Sequence, residues 1–348
     1  MSQKIKHIAV IRLSAMGDVA MTVPVLRAFA EQFPEVKITM ISRPFFEPFF
    51  EGIPNLTFFA FDAKGRHTGF FGLIRLFNDI KKRKIDAFAD LHNVLRSKII
   101  STFFAASGIK TATVDKGRAG KKALTRAENK IFKPLRTMVE RHAEVFEKLG
   151  FTIDLKNPIF PPKPELDPEV FRLTGNKENT KWIGIAPFAQ YDSKVYPQDL
   201  MQQVIQTLAE KPNNKVLLFG GGKKEIEILE SFASDHVNVT VVAGKINFKQ
   251  ELQIIAHLDV MLSMDSGNAH IAAMLGVKVI TLWGATHPFA GFLPFNQPLE
   301  SALVSDRKQF PKLPTSVYGN IKVEGYEDAM RTIPVGEVVF SMQSQLAE

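Results

Sequence analysis

The feature that most constrains the fold is a repeated pattern in which an apolar run ends in a polar turn and a helix follows. Residues 258–263 form such a run, residues 264–268 read MDSGN, and an Ala-rich helical pattern comes next. A second unit follows at once, with residues 277–283 running into the turn GATHP. Apolar runs of this length that alternate with helices are typical of buried parallel strands. The sequence therefore predicts an α/β fold.

The N-terminus shows the same arrangement. Residues 6–13 predict a buried strand, residues 14–18 (SAMGD) a turn, and residues 19–33 a helix with one apolar face. We place Pro24 in the first turn of that helix, where no backbone N–H is needed. Asp18 then lies at the helix start and at the mouth of the sheet, and its spacing alone favours a helix cap over a functional carboxylate.

Strands and helices alternate in both halves of the chain, so we predict two doubly wound sheets. The strands are expected at residues 5–13, 37–42, 56–61, 87–91, 182–186, 215–219, 239–243, 258–263 and 277–282. The helices are expected at residues 19–33, 70–82, 97–106, 199–210, 224–233 and 335–346. Prolines interrupt the pattern between the halves, which predicts domains at 1–160 and 181–334, a linker at 161–180 and a closing helix at 335–348.

Composition excludes several classes of site. The chain has no cysteine, so it has no disulfide and no thiolate metal ligand or nucleophile. Its histidines and acids show no HExxH-like spacing, and we expect no metal. The sequence contains no run of about 18 apolar residues, so we expect no membrane-spanning helix. No signal peptide is evident either, and we therefore expect a cytoplasmic protein.

The net charge of +8 is concentrated in one segment. Residues 64–141 contain 19 Lys and Arg residues but only 6 Asp and Glu residues. A positive field of this kind attracts a nucleic acid, an anionic membrane or a phosphorylated glycolipid, although a solvated helix face is the simpler reading of residues 81–84. Aromatic residues are not interleaved with these cations and no nucleic-acid motif is present, so we do not expect a nucleic-acid partner.

The turn at residues 265–270 (DSGNAH) is the best candidate for a ligand site. Free N–H groups at a helix start bind anions, and Gly267 allows a phosphate to approach the backbone. One such turn is weak evidence, but its acid, hydroxyl, glycine and histidine within six residues, with the matching N-terminal turn, indicate a nucleotide-sugar site at the sheet edge. The glycines at 220–222 match neither GxGxxG nor a P-loop, which argues against dehydrogenases and P-loop NTPases.

Four segments, in the same order, resemble the ADP-heptose:lipopolysaccharide heptosyltransferases of glycosyltransferase family 9. They are residues 12–19 with 22–26, residues 90–97, residues 186–190 with Lys194 and Pro197, and residues 265–273. The resemblance implies a GT-B fold, with two Rossmann-like domains facing a cleft and the C-terminal helix packing back toward the first domain. It also implies inverting transfer without a metal or other cofactor.

The resemblance assigns roles to the residues of both halves. Asp18 matches the catalytic base. Lys194, Asp265, Ser266, Gly267 and His270 match the donor site, where Lys194, Ser266 and Gly267 would contact phosphates and Asp265 the donor sugar. The acceptor would lie in the first half, and its expected contacts are Ser14, Met16, Gly17, Asp90 and Arg96.

The implied reaction moves heptose from ADP-heptose to an anionic lipopolysaccharide inner core of the Kdo-lipid A type. The basic segment fits such an acceptor and predicts peripheral association with the cytoplasmic face of the inner membrane. A monomer is the default expectation for this architecture. Two departures leave alternatives open: residues 314–330 lack the family's cysteines, and His92-Asn93 stands where Gln-Gly is expected. One alternative is a transferase of the same fold with a different nucleotide sugar or acceptor. The other is a non-catalytic basic binding protein on the same fold.

Overall fold

The computed structural model describes residues 5–347, which form two compact units. The first unit contains the chain up to Arg118 and the segment Arg136–Phe160. The second contains Ala119–Leu135 and the chain from Pro161 onward. Within residues 5–347, no helix is both long enough and apolar enough to cross a membrane.

The first unit is built on a five-stranded parallel sheet. Its strands and helices, with α5 at the boundary of the unit, are β1 (His7–Ile11), α1 (Met16–Ala20), α2 (Val23–Gln32), β2 (Lys37–Ser42), β3 (Leu56–Ala60), α3 (Gly69–Lys81), β4 (Ala87–Asp90), α4 (Leu95–Ala106), β5 (Lys110–Thr113), α5 (Arg118–Thr125) and α6 (Met138–Leu149). The strand order is β3-β2-β1-β4-β5, so the order reverses between β1 and β4. Ile11 pairs with Asp90, which brings the ends of these two strands level.

The second unit carries a six-stranded parallel sheet. Its elements are α7 (Pro168–Thr174), β6 (Lys181–Ala186), α8 (Gln198–Ala209), β7 (Asn214–Leu218), α9 (Lys223–Ala233), β8 (Val239–Val241), α10 (Phe248–Ala256), β9 (Val260–Met264), α11 (Gly267–Met274), β10 (Lys278–Trp283), β11 (Ala302–Val304) and α12 (Val335–Ala347). The order β11-β10-β9-β6-β7-β8 reverses between β6 and β9. Both sheets thus have the Rossmann order, in which ligands bind beyond the strand ends at the reversal.

Apolar side chains explain why these strands are buried on both faces. In the first unit, Ile11 and Phe88 of the sheet pack in one cluster with Leu76 of α3 and Phe104 of α4. In the second unit, Ile185 and Leu262 of the sheet pack in one cluster with residues of α8, α9 and α12. Two α/β units with parallel sheets confirm the predicted fold class, and the predicted strands agree with the observed ones to within one or two residues at most ends.

The single helix predicted at residues 19–33 is wrong, because the chain forms α1 and α2 instead. Pro24 has no N–H to donate to the carbonyl of Ala20, so one continuous helix cannot pass through this point. The side chain of Thr22 donates to the carbonyl of Val19 at 2.7 Å in the break. Pro24 does lie in the first turn of a helix, as predicted, but that helix is α2.

The predicted domain limits differ from the observed units in one internal segment. Ala119–Leu135 was expected in the first domain but belongs to the second unit. Phe132 packs against His287 and Phe289, with ring centroids 4.9 and 5.0 Å away, and the Arg307 guanidinium lies 3.5 Å from its ring centre. The Leu135 N–H donates to the carbonyl of Phe289 at 2.9 Å. These contacts hold the segment in the second unit.

The linker also differs from expectation. Residues 161–180 contain α7, whose Val170 and Thr174 are fully buried in the second unit. Helix α12 packs against α8, β9 and β10 of the second unit, and its predicted packing toward the first domain stays a prediction. Its Val338 and Met342 are fully buried in the core of the second unit, which accounts for this placement.

Candidate active site

Asp18 lies where β1 ends, beside the reversal of strand order in the first sheet. It is the third residue of α1, and its Oδ2 atom is 2.7 Å from a terminal nitrogen of Arg12. The Arg12 side chain is 4% exposed and also donates to the carbonyl of Leu91 at 2.7 Å, whereas the Asp18 side chain is 30% exposed. The structure therefore holds this carboxylate in a fixed position that solvent reaches.

Sequence reasoning did not single out Arg12 as a site residue. Its signal is a cation inside an otherwise apolar run at residues 8–13. A buried charge is expensive unless it is paired, so an arginine in a buried strand indicates an acidic partner nearby. The sequence does not say which acid that is, and the structure identifies Asp18.

Asp90 is buried and serves the loop after β4 rather than the surface. Its carboxylate accepts the N–H groups of His92 and Asn93, both at 2.8 Å, and the hydroxyl of Ser97 at 2.9 Å. Burial raises the pKa of Asp90, while these hydrogen bonds oppose the rise. The carboxylate is fully buried and fixes the backbone of His92 and Asn93, and a contact between Asp90 and the acceptor stays a prediction.

His92 is a neutral side chain in this region. Burial lowers its pKa to about 3, and the positive charges of Arg12 and Lys116 add to this effect. Its Nε2 atom lies 3.5 Å from the hydroxyl of Ser14, and its buried Nδ1 atom has no hydrogen-bond partner among the described residues. An imidazole in this state can accept a hydrogen bond from a ligand hydroxyl.

A cavity of about 460 Å³ opens in the first unit beside these side chains. Ser14, His92 and Arg96 contribute to its lining together with apolar residues of α3 and α4. Of the predicted acceptor residues, Ser14 and Arg96 thus lie at one cavity. Met16 and Gly17 lie in α1 beside Asp18 and do not line it.

Lys194 and Asp265 form the corresponding pair in the second unit. Lys194 follows β6 and Asp265 follows β9, so both lie at the reversal of strand order. The Lys194 ammonium donates to the Asp265 carbonyl at 2.6 Å and lies 3.3 Å from its carboxylate. Because an ammonium has three donors, one remains for a ligand after these two contacts.

A glycine that sequence reasoning missed covers the stem of Lys194. Gly319 has φ of +90°, and a Cβ atom there would lie 2.7 Å from Cγ of Lys194. The hydroxyl of Ser193 donates to the Gly319 carbonyl at 2.7 Å, and the Gly319 N–H donates to the hydroxyl of Ser316 at 2.9 Å. A lone glycine in a loop carries no signal that it touches a lysine 125 residues earlier.

The three remaining donor candidates lie at the start of α11. Ser266 is the residue before the helix, and its hydroxyl lies 3.1 Å from that of Ser263. Gly267 is the first helical residue, and His270 is 7% exposed one turn later. Ser266, Gly267 and His270 thus follow Asp265 along the chain, and their contacts with the donor stay a prediction. Among residues 5–347, no group of three His, Asp or Glu side chains is arranged to hold a metal ion.

Two Rossmann-like units, each with a parallel sheet, are the architecture of the GT-B fold class. Solved structures support this fold: glycosyltransferase family 9 from Veillonella parvula has a TM-score of 0.76 at 20% identity, covering 100% of this chain and 99% of that one. E. coli heptosyltransferase WaaC with ADP has a TM-score of 0.65 at 17% identity, covering 97% and 99%.

The sequence narrows the class to one family. Residues 73–320 match the family described as "Glycosyltransferase family 9 (heptosyltransferase)", and the chain belongs to that family. The lipopolysaccharide core heptosyltransferase OpsX of Haemophilus influenzae is 27% identical over 346 residues, which are 97% of this chain and 96% of that protein. The predicted family is thus confirmed, and the chain is an enzyme of glycosyl transfer.

Proposed function

We propose that this protein transfers heptose from ADP-heptose to an anionic lipopolysaccharide inner core of the Kdo-lipid A type. The names of its relatives support this proposal, since OpsX is a lipopolysaccharide core heptosyltransferase and WaaC has been solved with ADP. The observation that carries the chemistry is the Arg12-anchored carboxylate of Asp18 at the sheet reversal of the first unit. The transfer is a single displacement that inverts the anomeric configuration and requires no metal.

Asp18 acts as the general base in this proposal. The acceptor hydroxyl oxygen attacks the anomeric carbon, and its proton passes to the Asp18 carboxylate as the new glycosidic bond forms. Arg12 fixes the direction of the carboxylate through the ion pair at 2.7 Å. His92 and Ser14 form hydrogen bonds, as acceptors or as donors, with other hydroxyls of the acceptor in the adjoining cavity.

Lys194 stabilises the leaving group. The bond between the anomeric carbon and the phosphate oxygen breaks, and its electron pair leaves with the diphosphate of ADP. The third donor of the ammonium and the N–H groups at the start of α11 neutralise that charge, which is the task that a metal performs in other transferases. Asp265 orients Lys194 through two contacts, and in this proposal its carboxylate binds hydroxyls of the donor sugar.

The acceptor accounts for the charge of residues 64–141. Kdo carboxylates and lipid A phosphates are anionic, and Arg96 is an exposed cation at the cavity of the first unit. The same charge favours peripheral association with the cytoplasmic leaflet of the inner membrane, where such a lipid is held. A monomer is sufficient for this reaction.

The experiment that tests the proposal compares Asp18→Asn with Glu31→Gln, a matched control at an exposed carboxylate of α2. Transfer from ADP-heptose to Kdo-lipid A is measured in EDTA and in Mg²⁺, and the product linkage is assigned by NMR. We expect Asp18→Asn to lose 10²–10⁴-fold in turnover with ADP affinity retained, and the control to stay active. Normal turnover of Asp18→Asn would contradict the role of Asp18 as the base. Loss of activity in EDTA would contradict transfer without a metal, and a retained anomeric configuration would contradict inversion.

A further inference from the structure

The first unit carries an apolar surface that its own fold leaves uncovered. Phe70 and Phe71 at the start of α3 are 57% and 73% exposed, and Leu95 at the start of α4 is 78% exposed. Isolated exposed apolar residues are common in proteins. Two adjacent exposed phenylalanines, together with an exposed leucine at the start of another helix, are not expected without a partner. We call Phe70, Phe71 and Leu95 the apolar surface.

The fold does not require these three side chains. Helix α3 buries Leu73, Leu76 and Ile80 against the sheet, which is the stripe expected for a helix packed on one side. Phe70 and Phe71 lie outside that stripe. Their substitution should therefore leave the unit folded, and the exposure of two large apolar rings points to a contact outside the unit.

The apolar surface is continuous with the acceptor cavity. Leu95 lines that cavity, and so does Gly69, the neighbour of Phe70. Along α4, Leu95 is followed at four-residue spacing by Ile99 and Phe103, which lie on one face of the helix. The Phe70 ring is 6.2 Å from that of Phe103, so α3 and α4 present one apolar strip beside the cavity.

Exposed cations border this strip. Lys64, Arg75, Arg96 and Lys98 are all exposed, and the Arg96 guanidinium lies over the ring of Phe61 at 5.6 Å. Two acids are also near in sequence. Asp79 is paired with Arg66 at 2.8 Å, so these two charges cancel. Asp62 accepts backbone N–H groups of its own loop and stays ionised, so it offsets only one of the four cations. The border of the apolar surface is positive.

We infer that the apolar surface inserts into the headgroup region of an anionic phospholipid bilayer and holds the acceptor cavity at that depth. Aromatic rings bordered by Lys and Arg match the chemistry of such a surface, because the rings enter the acyl boundary while the cations meet lipid phosphates. The inference rests on the proposed function in one respect, namely that the acceptor is a lipid. Binding to vesicles without any substrate does not depend on that function.

The first test uses the absence of cysteine from the chain, which makes a single introduced thiol unique. Phe71→Cys is labelled with the environment-sensitive dye NBD and mixed with vesicles of phosphatidylethanolamine and phosphatidylglycerol. The matched control is Phe340→Cys on α12 of the second unit, where the native side chain is 71% exposed. We expect a blue shift and increased intensity at position 71 only. No change at position 71, or an equal change at both positions, would overturn the inference.

The second test measures sedimentation with the same vesicles and compares Phe70→Ser/Phe71→Ser with Phe340→Ser. We expect the double variant to lose at least tenfold in vesicle affinity and the control to bind normally. Vesicles of phosphatidylcholine alone should bind the wild-type protein weakly, because they lack anionic headgroups. Unchanged binding of the double variant, or equal binding to both vesicle types, would contradict the inference.

A third measurement separates this inference from the proposed function. A soluble acceptor from which the acyl chains have been removed needs no membrane, so the double variant should transfer heptose to it at the wild-type rate. Loss of that activity would place Phe70 and Phe71 in the transfer site and overturn the inference. An inactive wild-type protein that still binds vesicles through Phe70 and Phe71 would instead contradict only the proposed function.

Discussion

At the scale of single residues, the site depends on pairs that hold a charged side chain in one position. Arg12 holds Asp18, and the Asp265 carbonyl and carboxylate hold Lys194. Asp18 and Lys194 could be selected from the sequence because each follows a strand and resembles a family position. Arg12 carries a weaker signal, a cation in a buried strand, which does not name its acidic partner. Gly319 carries none, because its role depends on a contact with a distant residue and on a positive φ.

Gly319 offers a direct test of how tightly Lys194 is positioned. In Gly319→Ala, the new Cβ atom lies 2.7 Å from the Lys194 stem and must displace it, so we expect ADP affinity to fall about tenfold. Titration calorimetry with ADP measures this change. Gly325→Ala is the matched control, since Gly325 also has positive φ but a Cβ atom there meets nothing within 4 Å. Equal affinities of the two variants would show that the clash is relieved without moving the ammonium.

His92 predicts a pH dependence of folding stability. Its pKa is about 3 in the folded protein and about 6.5 in the unfolded chain, so below pH 6.5 the unfolded state binds more protons. Stability is therefore lost as pH falls from 6.5 toward 3, by up to about 1.4 kcal/mol per pH unit. We expect His92→Gln to flatten the acid limb of the stability curve between pH 6 and 4.

That slope is measured by urea unfolding followed by circular dichroism, with wild type and variant compared at each pH. Glu251, whose pKa burial raises to about 7, contributes an opposite slope between its usual pKa and pH 7. Because both proteins contain Glu251, its contribution cancels in the comparison. Parallel curves for the two proteins would show that His92 becomes protonated without a stability cost.

At the scale of elements, hydrophobic periodicity located most strands well. It failed where packing between distant segments determines which element forms or what that element packs against. Residues 37–42 were predicted to the residue, since the β-branched side chains of Ile38, Thr39 and Ile41 favour a strand. Strand β5 has the sequence KTAT and no apolar run, so it was missed. The last helix was predicted from its pattern, but the pattern does not say which sheet it covers.

Helix α12 supports the second unit through buried residues. We expect Met342→Ala to cost roughly 2–5 kcal/mol, since the side chain is fully buried, and to lower the unfolding midpoint by roughly 5–15 °C. Phe340→Ala on the same helix should change stability by no more than about 0.5 kcal/mol, because the ring is 71% exposed. Tryptophan fluorescence during heating follows the change. A midpoint for Met342→Ala equal to that of the control would mean that α12 detaches before the core unfolds.

At the scale of the whole molecule, the two units can be observed separately. Both tryptophans, Trp182 and Trp283, are buried in the second unit, so their fluorescence follows that unit. We expect ADP at 100 times its dissociation constant to stabilise the fluorescence-detected transition by about 2.7 kcal/mol. UDP and GDP at the same concentration are the controls. Equal stabilisation by all three nucleotides would agree with a diphosphate site in the second unit but would contradict selection of adenine over other bases.

The segment Ala119–Leu135 has a consequence for biosynthesis of the chain. It is synthesised between two parts of the first unit, yet its partners lie at Phe289, Arg307 and Pro314. At a translation rate of about 5–20 residues per second, the segment leaves the ribosome roughly 10–40 s before residue 314 is made. The first unit can fold during that interval, whereas Phe132 and Leu135 still lack their native contacts. Until residues 289–314 have been synthesised, this stretch therefore exposes an aromatic ring and a backbone N–H that are both paired in the folded chain.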